Sequence, residues 1–331
     1  MTELMRAVGY RRNLPITDPD ALLDLTVPVP EPGPHDLRVR VRAVSVNPVD
    51  VKVRAGADPG AEPRILGFDA AGVVDRVGEA VTLFRPGDEV WYAGSIARPG
   101  TDAELHLVDE RITGPKPATL DFAEAAALPL TALTAWESLF DRLRLTENSE
   151  GRLLVLGAAG GVGSILVQMA RRLTGVEVIG TASRPESRQY VLDRGAHRVV
   201  DHHGDLAAQL PEGVDYVFSP HSAGLAETFA RIVRPFGAIV AIDEPAGLDL
   251  TVLKSKSIAW HWELMFTRPL YDPSSTAQHE ILTRVAELVD KGVLHTTLTT
   301  RIDGITAANL RTAHATQESG AVLGKTVLAG F

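Results

Sequence analysis

The chain has 331 residues, enough for two domains of ordinary size. Its formal net charge of −9, with no Lys/Arg run of five or more, argues against nucleic acid or an anionic membrane as a partner. Cysteine is absent, which removes disulfides, thiolate nucleophiles, iron–sulfur clusters and cysteine-ligated zinc. The opening MTELMRAVGYRR carries no signal-peptide pattern, and no run of eighteen apolar residues follows, so a cytoplasmic location is expected.

Residues 1–125 read as short strands between Pro/Gly turns. Leu37–Val46 alternates, with Leu37, Val39, Val41 and Val44 set against Arg38, Arg40 and Arg42. Ala70–Val77, Glu89–Ala93 and Ala103–Val108 are further strand candidates, and together they give a barrel-like all-β texture. Phe122–Leu143 is Ala/Leu-rich and reads as one helix. Strands and helices then alternate: Leu153–Leu156, Val162–Leu173, Val176–Thr181, Glu186–Arg194 and Arg198–Val200, with further strands at Val214–Phe218 and Ala238–Ile242. That spacing predicts βαβ units and a parallel sheet. After about 266 come an amphipathic helix at Thr276–Lys291, a strand at Thr297–Ile302, a helix at Ala307–Thr316 and a strand at Thr326–Leu328.

The strongest local signal is Leu153-Leu-Val-Leu-Gly157-Ala-Ala159-Gly160-Gly161-Val162-Gly163, an apolar strand running through glycines into a helix. Gly160 would let the backbone approach a pyrophosphate, Gly163 would let the helix pack close to the strand, and the helix N-terminus offers free N–H groups to phosphate. The alternative is a tight strand–helix turn with no ligand. The second strand ends at Ala182-Ser183-Arg184, where an NAD site carries an acid for the ribose 2′-hydroxyl. A hydroxyl and a guanidinium without that acid suit a 2′-phosphate, with Arg188 one helical turn on, so NADPH is the expected cofactor.

Val46-Asn47-Pro48-Val49-Asp50 with Arg54 and Gly56, Gly67-Phe68-Asp69-Ala70-Ala71-Gly72, Phe84-Arg85-Pro86-Gly87-Asp88-Glu89-Val90, Leu128-Pro129-Leu130-Thr131 and Gly324-Lys325-Thr326-Val327 occur in order around the glycine loop. With these motifs the chain resembles the medium-chain dehydrogenase/reductase superfamily, and most of all its zinc-independent quinone oxidoreductase-like branch. Thr181-Ala-Ser-Arg-Pro-Glu, Asp215-Tyr-Val-Phe-Ser219 and Ile258-Ala-Trp-His261-Trp-Glu263 also resemble a subgroup labelled as a zinc-binding alcohol dehydrogenase family. The resemblance implies a Rossmann doubly wound parallel sheet (126–265) inserted into a GroES-like β-barrel catalytic domain (1–125 and 266–331), with the active site in the cleft between domains. It further implies a homodimer joined at the sheet edge near Ser257–Glu263. The positions aligned with the zinc ligands of the metal-dependent members are Asn47, Phe68 and Leu130, so no metal is expected.

The same resemblance places Asn47 near the nicotinamide, Thr131 at its carboxamide end and His202 near the cofactor ribose. Lys52 stands where some relatives carry a tyrosine; in a dry cleft it could give a proton, and otherwise it is a surface lysine. Tyr92 is a second candidate for the substrate pocket, against a plain barrel-core role, and Met265 and Phe266 are further candidate pocket residues. His202 and His203 are adjacent and are expected to point apart. The leading function is an NADPH-dependent reductase of quinones or α,β-unsaturated carbonyls. The alternatives are a zinc-free carbonyl reductase or alcohol dehydrogenase, and a non-catalytic NADPH-binding sensor or RNA-binding protein.

Overall fold

A computed structural model describes residues 3–56 and 59–331. The chain divides into two compact units, one formed by the stretch through Leu133 together with Phe266–Phe331, the other by Thr134–Met265. The second crossing lies between Met265 and Phe266. The first falls after Leu133, not after residue 125, because the helix Phe122–Ala126 packs on the strands Asp36–Ser45 and Ala70–Val77 of the first unit.

The first unit is built on a seven-stranded sheet. Its path runs Leu298–Asp303, Lys325–Ala329, Asp36–Ser45, Ala70–Val77, Glu89–Tyr92 and Thr113–Pro115, and Leu105–Asp109 pairs with Asp36–Ser45 off that path. The C-terminal strand Lys325–Ala329 thus pairs antiparallel with Asp36–Ser45, Val327 facing Ser45, which closes the unit across the insertion. Leu37, Val39, Val41 and Val44 enter its core beside Val74, Val90 and Leu328, as their alternation predicts. Arg38 is also buried, because its guanidinium lies 2.6 Å from Asp75 and also reaches Glu31.

The expected helix Phe122–Leu143 is broken. Asp121 caps Phe122–Ala126 in a capping box with Glu124, Pro129 opens a new helix Pro129–Trp136, and a π-helical turn follows at Glu137–Arg142. Proline has no N–H to continue the first helix, which accounts for the break. Pro48–Gly56 is a helix that strand-like expectations for the N-terminal third passed over. It too begins on a proline.

The second unit holds a six-stranded, all-parallel sheet in the order Arg198–Val200, Glu177–Thr181, Arg152–Val155, Val214–Ser219, Val233–Ala241, Ala259–Trp262. Numbered along the chain this is 3-2-1-4-5-6, the doubly wound dinucleotide order. Leu153, Leu154 and Val155 of the central strand are fully buried, and the helix Gly161–Leu173 buries Ile165, Leu166, Val167, Met169 and Ala170. Both faces of a parallel sheet are covered in this way, so its strands are apolar runs and do not alternate.

Candidate functional site

In the second unit the central strand Arg152–Val155 leads into a turn at Gly157, whose φ is 60°. The Gly160 N–H donates to the Gly157 carbonyl at 2.9 Å, and the Gly157 N–H donates to Thr181 Oγ1 at 3.1 Å, so the turn is tied to the end of the neighbouring strand. The helix starts at Gly161, and its first i to i−4 bond comes from Ser164 to the Gly160 carbonyl. The N-cap residue, Gly160, has no side chain to cap this end. The N–H groups of Gly161, Val162 and Gly163 therefore precede the hydrogen-bonded ladder and face a helix N-terminus suited to an anion.

The glycines differ in what they permit. A Cβ on Gly163 would lie 2.7 Å from Ala158 Cα and closer still to the Gly157 carbonyl, so this glycine lets helix and loop pack. A Cβ on Gly160 would meet nothing nearer than the Gly157 carbonyl at 3.4 Å, so the space beside Gly160 is open. Ala159, Gly160, Gly161 and Val162 are half-buried while Gly163 is buried, as a cradle with one open side requires.

At the end of the second strand Ala182 is buried, Ser183 half-buried and Arg184 exposed. Arg188 donates to the carbonyls of Ala182 and Val199 at 3.1 and 3.0 Å, which fixes a guanidinium beside this segment. His202 is exposed after the third strand. Contrary to expectation, its ring does not point away from His203: the centroids lie 4.3 Å apart. Burial and the neighbouring His203 hold its pKa below the usual histidine value. After the fourth strand Ser222 donates through its N–H and Oγ to Asp243, at 2.6 and 2.7 Å, and shares a 2.9 Å hydrogen bond with Ser219.

In the first unit Asn47 and Thr131 are both buried. Asn47 precedes the helix Pro48–Gly56; its N–H donates to Asp50 Oδ2 at 2.7 Å, one half of a capping box. Its amide turns inward: Nδ2 donates to Asp69 Oδ2 at 2.8 Å, and Oδ1 accepts from Lys325 Nζ. Thr131 Oγ1 donates to the Leu128 carbonyl at 3.0 Å. Asp50 is buried and takes a second donor, the Gly67 N–H at 3.1 Å, yet burial pushes its carboxyl up to about 7. Asp102, also buried, is raised well above the usual carboxylate value by burial and by the charge of Asp50.

The other sequence candidates stand elsewhere. Lys52 is exposed, which removes the dry setting its role as a proton donor depended on. Tyr92 is in the core, its ring stacked on His106 at 5.4 Å with the hydroxyl 3.1 Å from His106 Nδ1. His106 Nε2 bonds the Pro99 carbonyl, so the Tyr92 hydroxyl is the donor to Nδ1 and is no pocket group. Met265 is buried in the second unit, and Phe266 packs edge-on against Phe68 in the first at 5.4 Å. Sequence reading passed over Asp69 and Lys325 as functional groups, and also Glu263. Glu263 is buried, and burial together with Glu137 raises its pKa well above the usual value.

The positions aligned with zinc ligands do not fit zinc. They offer an amide already bonded to Asp69 and Lys325, a buried phenyl ring and a leucine. Among the described residues no group of three or more His, Cys, Asp or Glu is arranged to hold a metal ion. Among them, too, no helix is long and apolar enough to cross a membrane.

Residues 33–118 match the alcohol dehydrogenase GroES-like domain, and residues 194–328 match the zinc-binding dehydrogenase family. The chain is 37% identical to a zinc-type alcohol dehydrogenase-like protein of Staphylococcus epidermidis, over 98% of this chain and 99% of that one. It is 33% identical to the chloroplastic NADPH-dependent alkenal/one oxidoreductase of Arabidopsis thaliana, over 69% of this chain and 62% of that protein. Among solved structures, a Rhizobium etli protein provisionally described as a zinc-dependent alcohol dehydrogenase superposes with a TM-score of 0.95 at 50% identity, covering 100% of this chain and 99% of that one. The quinone oxidoreductase of Coxiella burnetii superposes with a TM-score of 0.85 at 26% identity, covering 99% and 100%.

Proposed function

Since the chain belongs to the medium-chain dehydrogenase/reductase superfamily, in its quinone oxidoreductase-like branch, and is an oxidoreductase, we propose that it reduces quinones or α,β-unsaturated carbonyls with NADPH and without a metal. The observation that carries the metal-free reading is the inward-turned Asn47, bonded to Asp69 and Lys325 at a position where metal-dependent members hold zinc. The names of the Arabidopsis and Coxiella relatives support the acceptor class.

NADPH supplies the hydride when bound. The N–H groups of Gly161, Val162 and Gly163 would hold the pyrophosphate, with Ala159 and Gly160 leaving room for it. Ser183, Arg184 and Arg188 would hold the 2′-phosphate, and His202 would lie by the ribose. The backbone segments carrying Asn47 and Thr131 would fix the nicotinamide end. Lys52 is exposed and the Tyr92 hydroxyl is committed to His106, so neither is assigned as the donor of the proton that completes the reduction.

The test is NADPH oxidation by metal-stripped protein across quinones, α,β-unsaturated carbonyls and saturated aldehydes. Turnover with the first two classes, unchanged by chelators, is expected. Turnover confined to aldehydes, or one tightly bound zinc per chain whose removal abolishes activity, overturns the reading.

A further inference from the structure

Asp69 collects donors from four stretches of the first unit. Oδ1 accepts the Leu130 N–H at 2.7 Å. Oδ2 accepts Ser45 Oγ and Asn47 Nδ2, each at 2.8 Å, and Lys325 Nζ at 3.2 Å. Its backbone carbonyl accepts Thr101 Oγ1 at 3.1 Å. Lys325 Nζ in turn donates to the Val46 carbonyl at 2.9 Å and to Asn47 Oδ1. All of these side chains are buried.

The carboxylate takes four donors and the amine reaches three acceptors, a set of partners the ionised pair satisfies in full. Burial alone pushes Asp69 up and Lys325 down, and each opposes that push on the other. Such a pair is a poor source of stability, because the desolvation of both charges offsets their attraction. What it does supply is geometry. It joins the end of the strand Asp36–Ser45, the start of the helix Pro48–Gly56, the start of the helix Pro129–Trp136 and the strand Lys325–Ala329.

The geometry points to Asp69 and Lys325 as positioning residues for hydride transfer, fixing the Asn47 and Thr131 segments relative to each other. This rests on the proposed function, in which those two segments hold the nicotinamide end. Neither residue touches the reacting atoms. Their effect is on placement, where a shift of about 1 Å can cost roughly a hundredfold in rate.

Asp69→Asn combined with Lys325→Met removes both charges and leaves an amide able to bond Asn47 Oδ1. Removing both partners of a buried pair together is near neutral for folding, whereas removing one is not. The double variant also takes the Lys325 donor from the Val46 carbonyl, so it is expected to fold with a somewhat lower Tm, checked by circular dichroism before kinetics. Its kcat should fall roughly 10- to 100-fold. Its Kd for NADPH should rise, with Kd for adenosine 2′,5′-bisphosphate, which has no nicotinamide, unchanged. Lys325→Arg keeps a cation beside Asp69 without the same three bonds, and should show the same pattern in weaker form; it carries the test alone if the double variant does not fold. Wild-type kcat and NADPH affinity in a folded variant, or equal weakening of both ligands, overturns the inference. A wild-type protein that fails to oxidise NADPH with any quinone or α,β-unsaturated carbonyl overturns the proposed function instead, before any variant is compared.

Discussion

Gly160→Ala and Gly163→Ala separate cofactor binding from packing within one loop. Gly160 has φ −80° and ψ −178°, a backbone any residue adopts, and its added Cβ would make an ordinary 3.4 Å contact with the Gly157 carbonyl. Alanine is a poorer helix cap than glycine but restricts the unfolded chain, and the two effects offset to within about 1 kcal/mol. Gly160→Ala should therefore melt as wild type does. Its methyl, however, fills the open side of the loop. Displacing one charge-assisted N–H contact costs about 1.5–3 kcal/mol, so Kd for NADPH should rise roughly 10- to 150-fold. Gly163→Ala places a methyl 2.7 Å from Ala158 Cα, where carbon atoms favour about 3.5–4.0 Å. Overpacking of that kind costs about 1–3 kcal/mol, or a Tm lower by roughly 4–12 °C. Thermal melts and NADPH fluorescence titrations of the two variants decide the matter. Wild-type affinity in Gly160→Ala, or an unchanged Tm in Gly163→Ala, refutes the assignment of these roles.

Arg184→Ala should weaken NADPH roughly 10- to 100-fold and leave NADH nearly unchanged, since only NADPH carries the 2′-phosphate; equal loss for both cofactors in a fluorescence titration contradicts this. Among the described residues the strand Ala259–Trp262 pairs on one side only, and it leaves Trp262 50% exposed, so we propose that it joins a second copy of the chain. Wild type should then sediment as a dimer and Trp262→Glu as a monomer, and a wild-type monomer at micromolar concentration removes the proposal. His314 is buried, neither ring nitrogen has a hydrogen-bond partner among the described residues, and burial, with Arg54 nearby, lowers its pKa to about 3 from an ordinary 6.5. The folded state refuses a proton that the unfolded chain takes, so stability is full above pH 6.5 and falls by about 1.4 kcal/mol per pH unit below it. His314→Leu should raise Tm, and by more at pH 5 than at pH 8; an equal gain at both rules out this linkage.

The glycine loop was legible because everything it needs is contiguous: an apolar strand, the turn glycines and a helix within one short run. The doubly wound order followed from the alternation of strands and helices for the same reason. Pro129 was in plain view, yet the Ala/Leu-rich run around it outweighed the missing N–H, and one helix was read where the structure has a break and a π-helical turn. Arg38 was assigned to the outer face by period alone; its burial depends on Asp75 and Glu31, neither of which periodicity can supply. Asp69 and Lys325 lie 256 positions apart and meet only because the C-terminal strand returns to the N-terminal sheet. No local pattern marks such a pair, although both residues sit inside motifs of the sequence, Gly67–Gly72 and Gly324–Val327.

The hydrogen bonds of the candidate site also bear on the acceptor. A saturated aldehyde or ketone takes a hydride readily only when its oxygen is polarised by a metal or a strong donor. In this chain the Asn47 amide is bonded to Asp69 and Lys325, the Tyr92 hydroxyl donates to His106, the Thr131 hydroxyl donates to Leu128, and Lys52 is exposed to water. None of these is a preorganised donor held in a dry site. Quinones and enones spread the arriving negative charge over a conjugated system and so demand less of the protein. The residues that would disfavour a simple alcohol dehydrogenase are thus the ones that leave a conjugated acceptor workable.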